Sequence, residues 1–200
     1  MSRPVTILLA ILLLAATLAA SSLADRDLIL NVVSPPMAYS DSHIDQKLQR
    51  YLSREANLRV RLVQDNTQPA FPSALYDTDS LLNWGRETGG RYLIVVEVTA
   101  QRLERRKSFH VPLVFHKYET VGVIEGEFRL LDLNRGKIMA VESFDVEKKG
   151  PRIFQATMDD NVNDPDLHLT ASRKLVFFDQ LEDQLCRQLA DRVKKLVGGR

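Results

Sequence analysis

Residues Gly89–Ala100 read GGRYLIVVEVTA, and the rest of the chain is organised around them. Tyr92, Ile94, Val96 and Val98 fall on one side of a strand. Leu93 and Val95 begin the other side before Glu97 and Thr99 interrupt it. Alternation of period two marks a strand with an apolar face. Apolar residues on both sides, confined to the first half, predict a central strand covered on both faces at that end.

Upstream, Leu28, Leu30 and Val32 alternate with Ile29, Asn31 and Val33, so 27–33 reads as a first strand until Pro35 and Pro36 break it. Ser42 is placed to cap a helix, with Asp45 as a short capping-box partner. Ile44, Leu48, Tyr51 and Leu52 recur as one helical face, and Lys47, Gln49, Arg50 and Arg54 lie away from it. Asn57 is a C-terminal stop. Leu58, Val60 and Leu62 alternate with Arg59 and Arg61 as a short strand wet on one side. The loop 64–76 carries Phe71, Leu75 and Tyr76 and is expected to lie against the body. Asp77 caps a second helix with Leu81, Leu82 and Trp84. Gly85 predicts a close helix–sheet approach there, and Gly89-Gly90 end the helix.

Downstream, Val121–Leu133 reads as a long strand, with Ile124, Phe128 and Leu130 on one face and Glu125, Glu127 and Arg129 on the other. A turn ending at Gly136 returns Ile138–Val146 as its hairpin partner. The segment 101–118 is expected to be an extended excursion and 148–168 irregular. Ser172–Val197 closes the chain as its longest helix, with Phe178, Leu181, Leu185, Leu189, Val193 and Leu196 in one stripe. The whole predicts an α/β fold with a mixed sheet of about five strands, ordered strand–helix–strand–helix–strand–strand–strand–helix, flanked by three helices.

Arg3, the apolar run Ile7–Ala16 and the small residues Ser22 and Ala24 have the layout of a secretory signal peptide over 1–24, leaving a single domain at 25–200. An uncleaved inner-membrane anchor is the alternative, because Val5–Ala24 can just span a bilayer. No Cys follows the apolar run, which excludes a bacterial lipoprotein anchor. Removing the leader takes away Arg3 alone, so 27 basic residues become 26 against 26 acidic ones. A neutral chain lacks the electrostatic footprint of nucleic-acid binding. Cys186 is the only cysteine, so no intramolecular disulfide can hold the fold. The expected location is periplasmic or secreted, with membrane contact only through an uncleaved leader or peripheral docking.

This layout resembles a periplasmic family. "WGRETGGRYLIVVEV" is similar to the helix–Gly–strand passage of the TolB N-terminal domain, the curli secretion channel subunit and the penicillin-binding-protein activator lipoproteins. "FRLLDLNRGKIMAVESF" resembles the hairpin those proteins build around a D-x-x-x-G turn, here Asp132 to Gly136, and the closing helix resembles their final helix. The resemblance covers about residues 27–197. It implies a sheet with helices on its faces and a non-enzymatic scaffold or activator that docks on other envelope proteins. Two departures matter: there is no lipid-acceptor cysteine, and the alternating "SFHVPLVFHKYETVGVIEGEF" is short and carries Pro112 and charges. Pore formation is therefore not expected.

The residues themselves offer little catalytic chemistry. A phosphate-cradling loop needs glycines between a strand and a helix start, but "SPPMAYS" has none and Gly89-Gly90 precede their strand. Asp159, Asn161 and Asn163 fit the odd places of a calcium loop, yet Asp164 stands where Gly is required and Thr170 where Glu is. A solvated loop is the favoured reading, with no metal and no cofactor. His110 and His116 are six apart and would lie about 20 Å apart on one strand. Asp41, Ser42 and His43 hold the residue types of a hydrolytic triad without a G-x-S-x-G elbow. Arg102, Arg105, Arg106 and Lys107 form the densest basic run, which either meets anionic lipid or glycan or serves as a solvated edge.

The expected function is thus a non-catalytic binding or assembly module of the bacterial envelope. It docks on envelope proteins, or on further copies of itself, through Phe71, Tyr76, Arg102, Arg105, Arg106, Phe109, Val111 and Phe115. The alternative is a small-molecule or glycan-binding protein, or a hydrolase, using a pocket of Ser34, Tyr39, Asp41 and His43 at the carboxyl ends of the strands.

Overall fold

The computed structural model describes residues 27–35, 43–63, 69–111, 115–155 and 170–198, and for 107–111, 115–118 and 151–155 the backbone alone. In chain order the elements are β1 (Asp27–Val33), α1 (Ile44–Glu55), β2 (Arg59–Leu62), α2 (Thr78–Thr88), β3 (Tyr92–Val111), β4 (Phe115–Asp132), β5 (Lys137–Gln155) and α3 (Ala171–Gly198). The strands form one mixed sheet ordered β2-β1-β3-β4-β5. β1 runs parallel to β2 and β3, and β4 runs antiparallel to β3 and β5. This is the α/β fold with three helices that the alternating pattern predicts.

β3 is the middle strand, and its first half is buried on both faces. Tyr92, Ile94, Val96 and Val98 enter the larger core, with Leu28, Leu30, Ile124 and Leu130 beneath α1 and α3. Leu93 and Val95 enter a smaller core, with Ile29 and Leu131 against Leu81, Leu82 and Trp84 of α2. Each large aliphatic side chain so enclosed contributes about 1.5–3 kcal/mol relative to exposure. α3 lays Phe178, Leu181, Leu185, Leu189 and Val193 into the larger core, and Leu196 packs at its margin.

Helix ends follow local chemistry with one exception. Asp77 Oδ1 accepts from the backbone N–H groups of Asp79 (3.2 Å) and Ser80 (3.3 Å), as its position predicts. Gly85 faces Leu133, the close approach expected of it, and Asn57 sits past α1 with φ 53. The N-cap of α1, however, is His43, which makes no side-chain capping bond; Ser42 lies outside the described residues.

Two strand expectations are corrected. Of the segment expected to be an extended excursion, 101–111 completes β3 and 115–118 begins β4, and 148–155 is the end of β5. These strands run 20, 18 and 19 residues, well beyond the bounds 121–133 and 138–146 read from the sequence. Register shifts at Val98/Ala100, Lys107/Phe109, Glu119/Val121 and Leu130/Leu131 explain the misreading. Each bulge inserts a residue and breaks the period of two, while the cross-strand hydrogen bonds continue.

The bulge at Thr99 changes which side chains are inside. Before it, Val98 is in the larger core; after it, Leu103 is, five residues on. Arg102, Glu104 and Arg106 are thereby turned to the opposite face, where strict alternation would have driven them under α3. Gly126 pairs with Val98 beside this bulge, and a Cβ there would run into the Glu97 carbonyl oxygen and the Phe144 ring.

A further correction concerns Lys47. Placed off the apolar stripe by the sequence, it is 5% exposed, because α3 lies over that side of α1. Its Nζ donates to Asp179 Oδ1 (2.6 Å), the Asp179 carbonyl oxygen (3.0 Å) and Glu182 Oε2 (2.9 Å). Burial acts to lower the Lys47 pKa, but the hydrogen bonds and charges of Asp179 and Glu182 outweigh it and hold the group above its ordinary 10.5.

Two tests follow from these packings. Gly126→Ala is expected to cost about 1–3 kcal/mol in urea unfolding, whereas Gly198→Ala, with open space around it, leaves the midpoint unchanged. Lys47→Ala is expected to cost about 3–5 kcal/mol by leaving Glu182 buried without the ammonium, and Lys47→Met with Glu182→Leu recovers most of it. With a raised folded pKa, the Lys47 contribution is complete below pH 10.5 and lost as pH climbs through the folded value. The double variant should therefore lose less stability than the wild type above that pH.

Candidate functional site

Beyond α2 and the loop that leads into it, the sheet face opposite α1 and α3 carries a continuous lattice of charged side chains from β3, β4 and β5. Arg102 binds Glu125 through both terminal nitrogens (2.8 and 2.5 Å) and Glu104 through Nε (2.7 Å). Arg106 binds Glu147 in the same two-pronged way (2.8 and 2.5 Å) and shares Glu104. Lys149 Nζ lies 3.4 Å from Glu119, and Arg129 pairs with Glu127 at 2.7 Å. The arginines hold the Glu104, Glu125 and Glu147 carboxyls below their ordinary pKa. Val121 and Val123, each 1% exposed, lie between these residues in register. The aliphatic stems of the charged side chains act as their cover.

The basic run of the sequence is therefore not a basic patch. On a strand, successive residues face opposite ways, so Arg105 is turned from Arg102 and Arg106 toward the face of Leu103. The partners that neutralise Arg102 and Arg106 come from strands that are remote in sequence. On the described face, Glu97, Glu104, Glu119, Glu125, Glu127, Asp145 and Glu147 outnumber Arg102, Arg106, Arg129 and Lys149. Glu125, Glu127 and Arg129 announce a polar face in the sequence, but their meeting with Arg102 and Glu104 depends on register and on the bulge.

Tyr76 belongs to this face. It is 64% exposed, its hydroxyl donates to Glu97 Oε2 (2.8 Å), and the Arg129 guanidinium stands 4.4 Å from its ring centroid. The Glu97 carboxylate raises its pKa. Phe71 differs: its ring meets Trp84 edge-on at 4.8 Å, and Trp84 Nε1 donates to the Pro69 carbonyl oxygen at 2.8 Å. Phe71 is thus a packing residue of the smaller core.

Phe109, Val111 and Phe115 occupy the far end of the β3–β4 ribbon, where Val111 pairs with Phe115 and Phe109 with Lys117. His110 and His116 are register partners there, which corrects their expected separation of about 20 Å: the chain folds back between them.

Of the residues of the alternative site, Ser34 and His43 are among the described ones. A cleft of about 190 Å³ lies at the carboxyl ends of β1 and β2, lined by Leu30, Val32, Ser34, Ile44, Asp45, Leu62 and Val63. Ser34 is in it, His43 is exposed at the start of α1, and Tyr39 and Asp41 lie outside the described residues. Cys186 is fully buried, its Sγ donating to the Ile44 carbonyl oxygen at 3.6 Å, and burial pushes its pKa up to about 12. A thiol so held is not nucleophilic at neutral pH. Among the described residues, no three His, Cys, Asp or Glu side chains form a metal-binding group. The calcium-like segment 159–170 lies outside those residues up to Thr170. No described helix is long and apolar enough to cross a membrane.

No protein-family model matches this sequence, and no curated protein matches it. Among solved structures, TolB from Acinetobacter baumannii is similar over 86% of this chain, with 13% identity and a TM-score of 0.43; the chain spans 28% of TolB's length. The hypothetical protein CT253 from Chlamydia trachomatis is similar over 88% of this chain and 99% of its own, with 11% identity and a TM-score of 0.46. A minor lipoprotein from Acinetobacter baumannii is similar over 86% of this chain and 92% of its own, with 13% identity and a TM-score of 0.35. TolB and bacterial lipoproteins, which the sequence resemblance also named, are thus among the similar solved structures.

Proposed function

We propose that this chain is a non-catalytic docking module of the bacterial cell envelope. One observation carries the reading: β3, β4 and β5 stay paired beyond Gly122, out to Val111, Phe115 and Gln155. Phe177, in the second turn of α3, lies over Gly122. From Glu119 outward, β4 continues to Phe115 alongside β3 and β5, a ribbon extending about 15 Å at the rise of a strand. Paired backbone makes such an arm rigid, and its far end bears Phe109, Val111 and Phe115 in register. Aromatic and apolar residues on a stiff projection suit insertion into a partner's groove.

Among the described residues, several groups that could do chemistry are committed to structural contacts. Lys47 is spent on Asp179 and Glu182, Cys186 is enclosed, and Arg102 and Arg106 are saturated by carboxylates. The envelope assignment rests on the leader signature at 1–24.

The test is in-cell crosslinking of the tagged full-length protein from envelope fractions, read by mass spectrometry. A reproducible set of envelope partners is expected, and Phe109→Ser with Phe115→Ser should lose it while circular dichroism stays unchanged. Partners retained by that variant would remove the ribbon end from the docking surface. No enriched partner would instead favour ligand binding at the Ser34 cleft.

A further inference from the structure

The two edges of the sheet are not alike. β2 is four residues long, its Arg59 and Arg61 are exposed, and Gln49 Nε2 donates to the Val60 carbonyl oxygen (3.1 Å). Short length, charge and a side chain on an edge carbonyl are the usual protections of a sheet edge. β5, at the other end of the order, is 19 residues long, and no described strand adjoins its outer side.

The β5 edge is also regular where it matters. Its ladder with β4 runs unbroken from Ala140 to Lys149. A register shift at Met139 bounds it on one side, and the extra residue at Gly150-Pro151 bounds it on the other. Bulges twist an edge away from a partner, so the stretch between them is the part free to pair. It holds no proline, and Val141 within it is 46% exposed.

We propose that this edge pairs antiparallel with the same edge of a second copy, about a two-fold axis at Asp145. That centre is the one that lays Ala140–Gly150 onto itself. It sets Glu142 of each copy opposite Lys148 of the other, Phe144 opposite Val146, and Val141 opposite Lys149. Symmetry doubles every pair, as in any isologous interface. Each matched cross-strand pair favours the register. Moving the centre to residue 144 sets Glu142 against Val146 and Val141 against Glu147, which loses the charge pairs. Moving it to 146 sets Asp145 against Glu147, two like-charge clashes. Arg192 already holds Glu142 at this edge (2.6–3.1 Å), so the incoming Lys148 completes a network. One contact opposes the pairing: Asp145 meets its own copy on the open face. One strand edge buries little area, so the dimer belongs to the small, reversible class.

This inference is independent of the docking role of the ribbon end. Sedimentation velocity of the protein purified from cell extracts should show a reversible monomer–dimer equilibrium with concentration. Lys148→Glu is expected to weaken it about tenfold, and Glu142→Lys added to Lys148→Glu to restore it in part. Asp145→Asn should tighten it. Under mild oxidation Asp145→Cys should close a covalent dimer across the axis, while Val141→Cys, opposite Lys149, should not; wild-type Cys186 is buried and serves as the background. A monomer at every concentration overturns the proposal. So does a dimer indifferent to Lys148→Glu and Asp145→Asn, which must form through another surface.

Discussion

The fold depends on six residues of β3, Tyr92–Glu97, that pair with β1 on one side and β4 on the other and feed both cores. β1 pairs with them in parallel and β4 antiparallel. A parallel neighbour requires a crossover helix, and an antiparallel neighbour requires only a turn. The junction of the two modes therefore separates the molecule into a layered half, with α1 and α2 on opposite faces, and a meander half of long strands. The two cores meet across β1, β3 and β4, whose successive residues alternate between them.

The change of character along β3 has a definite location. At Thr99 an extra residue enters the strand, and the helix-facing set passes from even to odd numbers. Gly126 leaves room for the displaced backbone. Beyond that point α3 covers one face, and among the described residues the other is closed by charged side chains paired across strands. The valines beneath it are enclosed by arginine and glutamate stems, which keep their ionised ends in water. This half of the sheet needs no second helix layer, and it is the half that leaves a ribbon and an edge for partners.

Charge plays a different part between the helices. Lys47 and Glu182 are both nearly inaccessible, and Asp179 joins them from the rim. Such a cluster adds little net stability over an apolar replacement, but removing one member is costly. Its effect is to fix how α1 and α3 sit, since only one rotation of each helix lets the ammonium reach both carboxylates. The isolated helix patterns carry no trace of this. A lysine off the apolar stripe reads as solvated until the second helix is laid beside it.

Taken alone, the sequence determined the element order, the central strand, the Asp77 cap, the Asn57 stop, the Asp132–Gly136 turn and the stripe of α3, because each rests on residues within a few positions of one another. Periodicity and local hydrogen bonding are encoded at that range. Only the tertiary structure decided the true lengths of β3, β4 and β5, the partners of Lys47, the facing of Arg102 and Arg106, and the adjacency of His110 and His116. All four depend on pairing across long sequence separations, and a single bulge reverses every later side chain. The basic run shows the reason most directly. Arg102 and Arg106, basic when read along the chain, become paired with carboxylates once register brings Glu125 and Glu147 beside them.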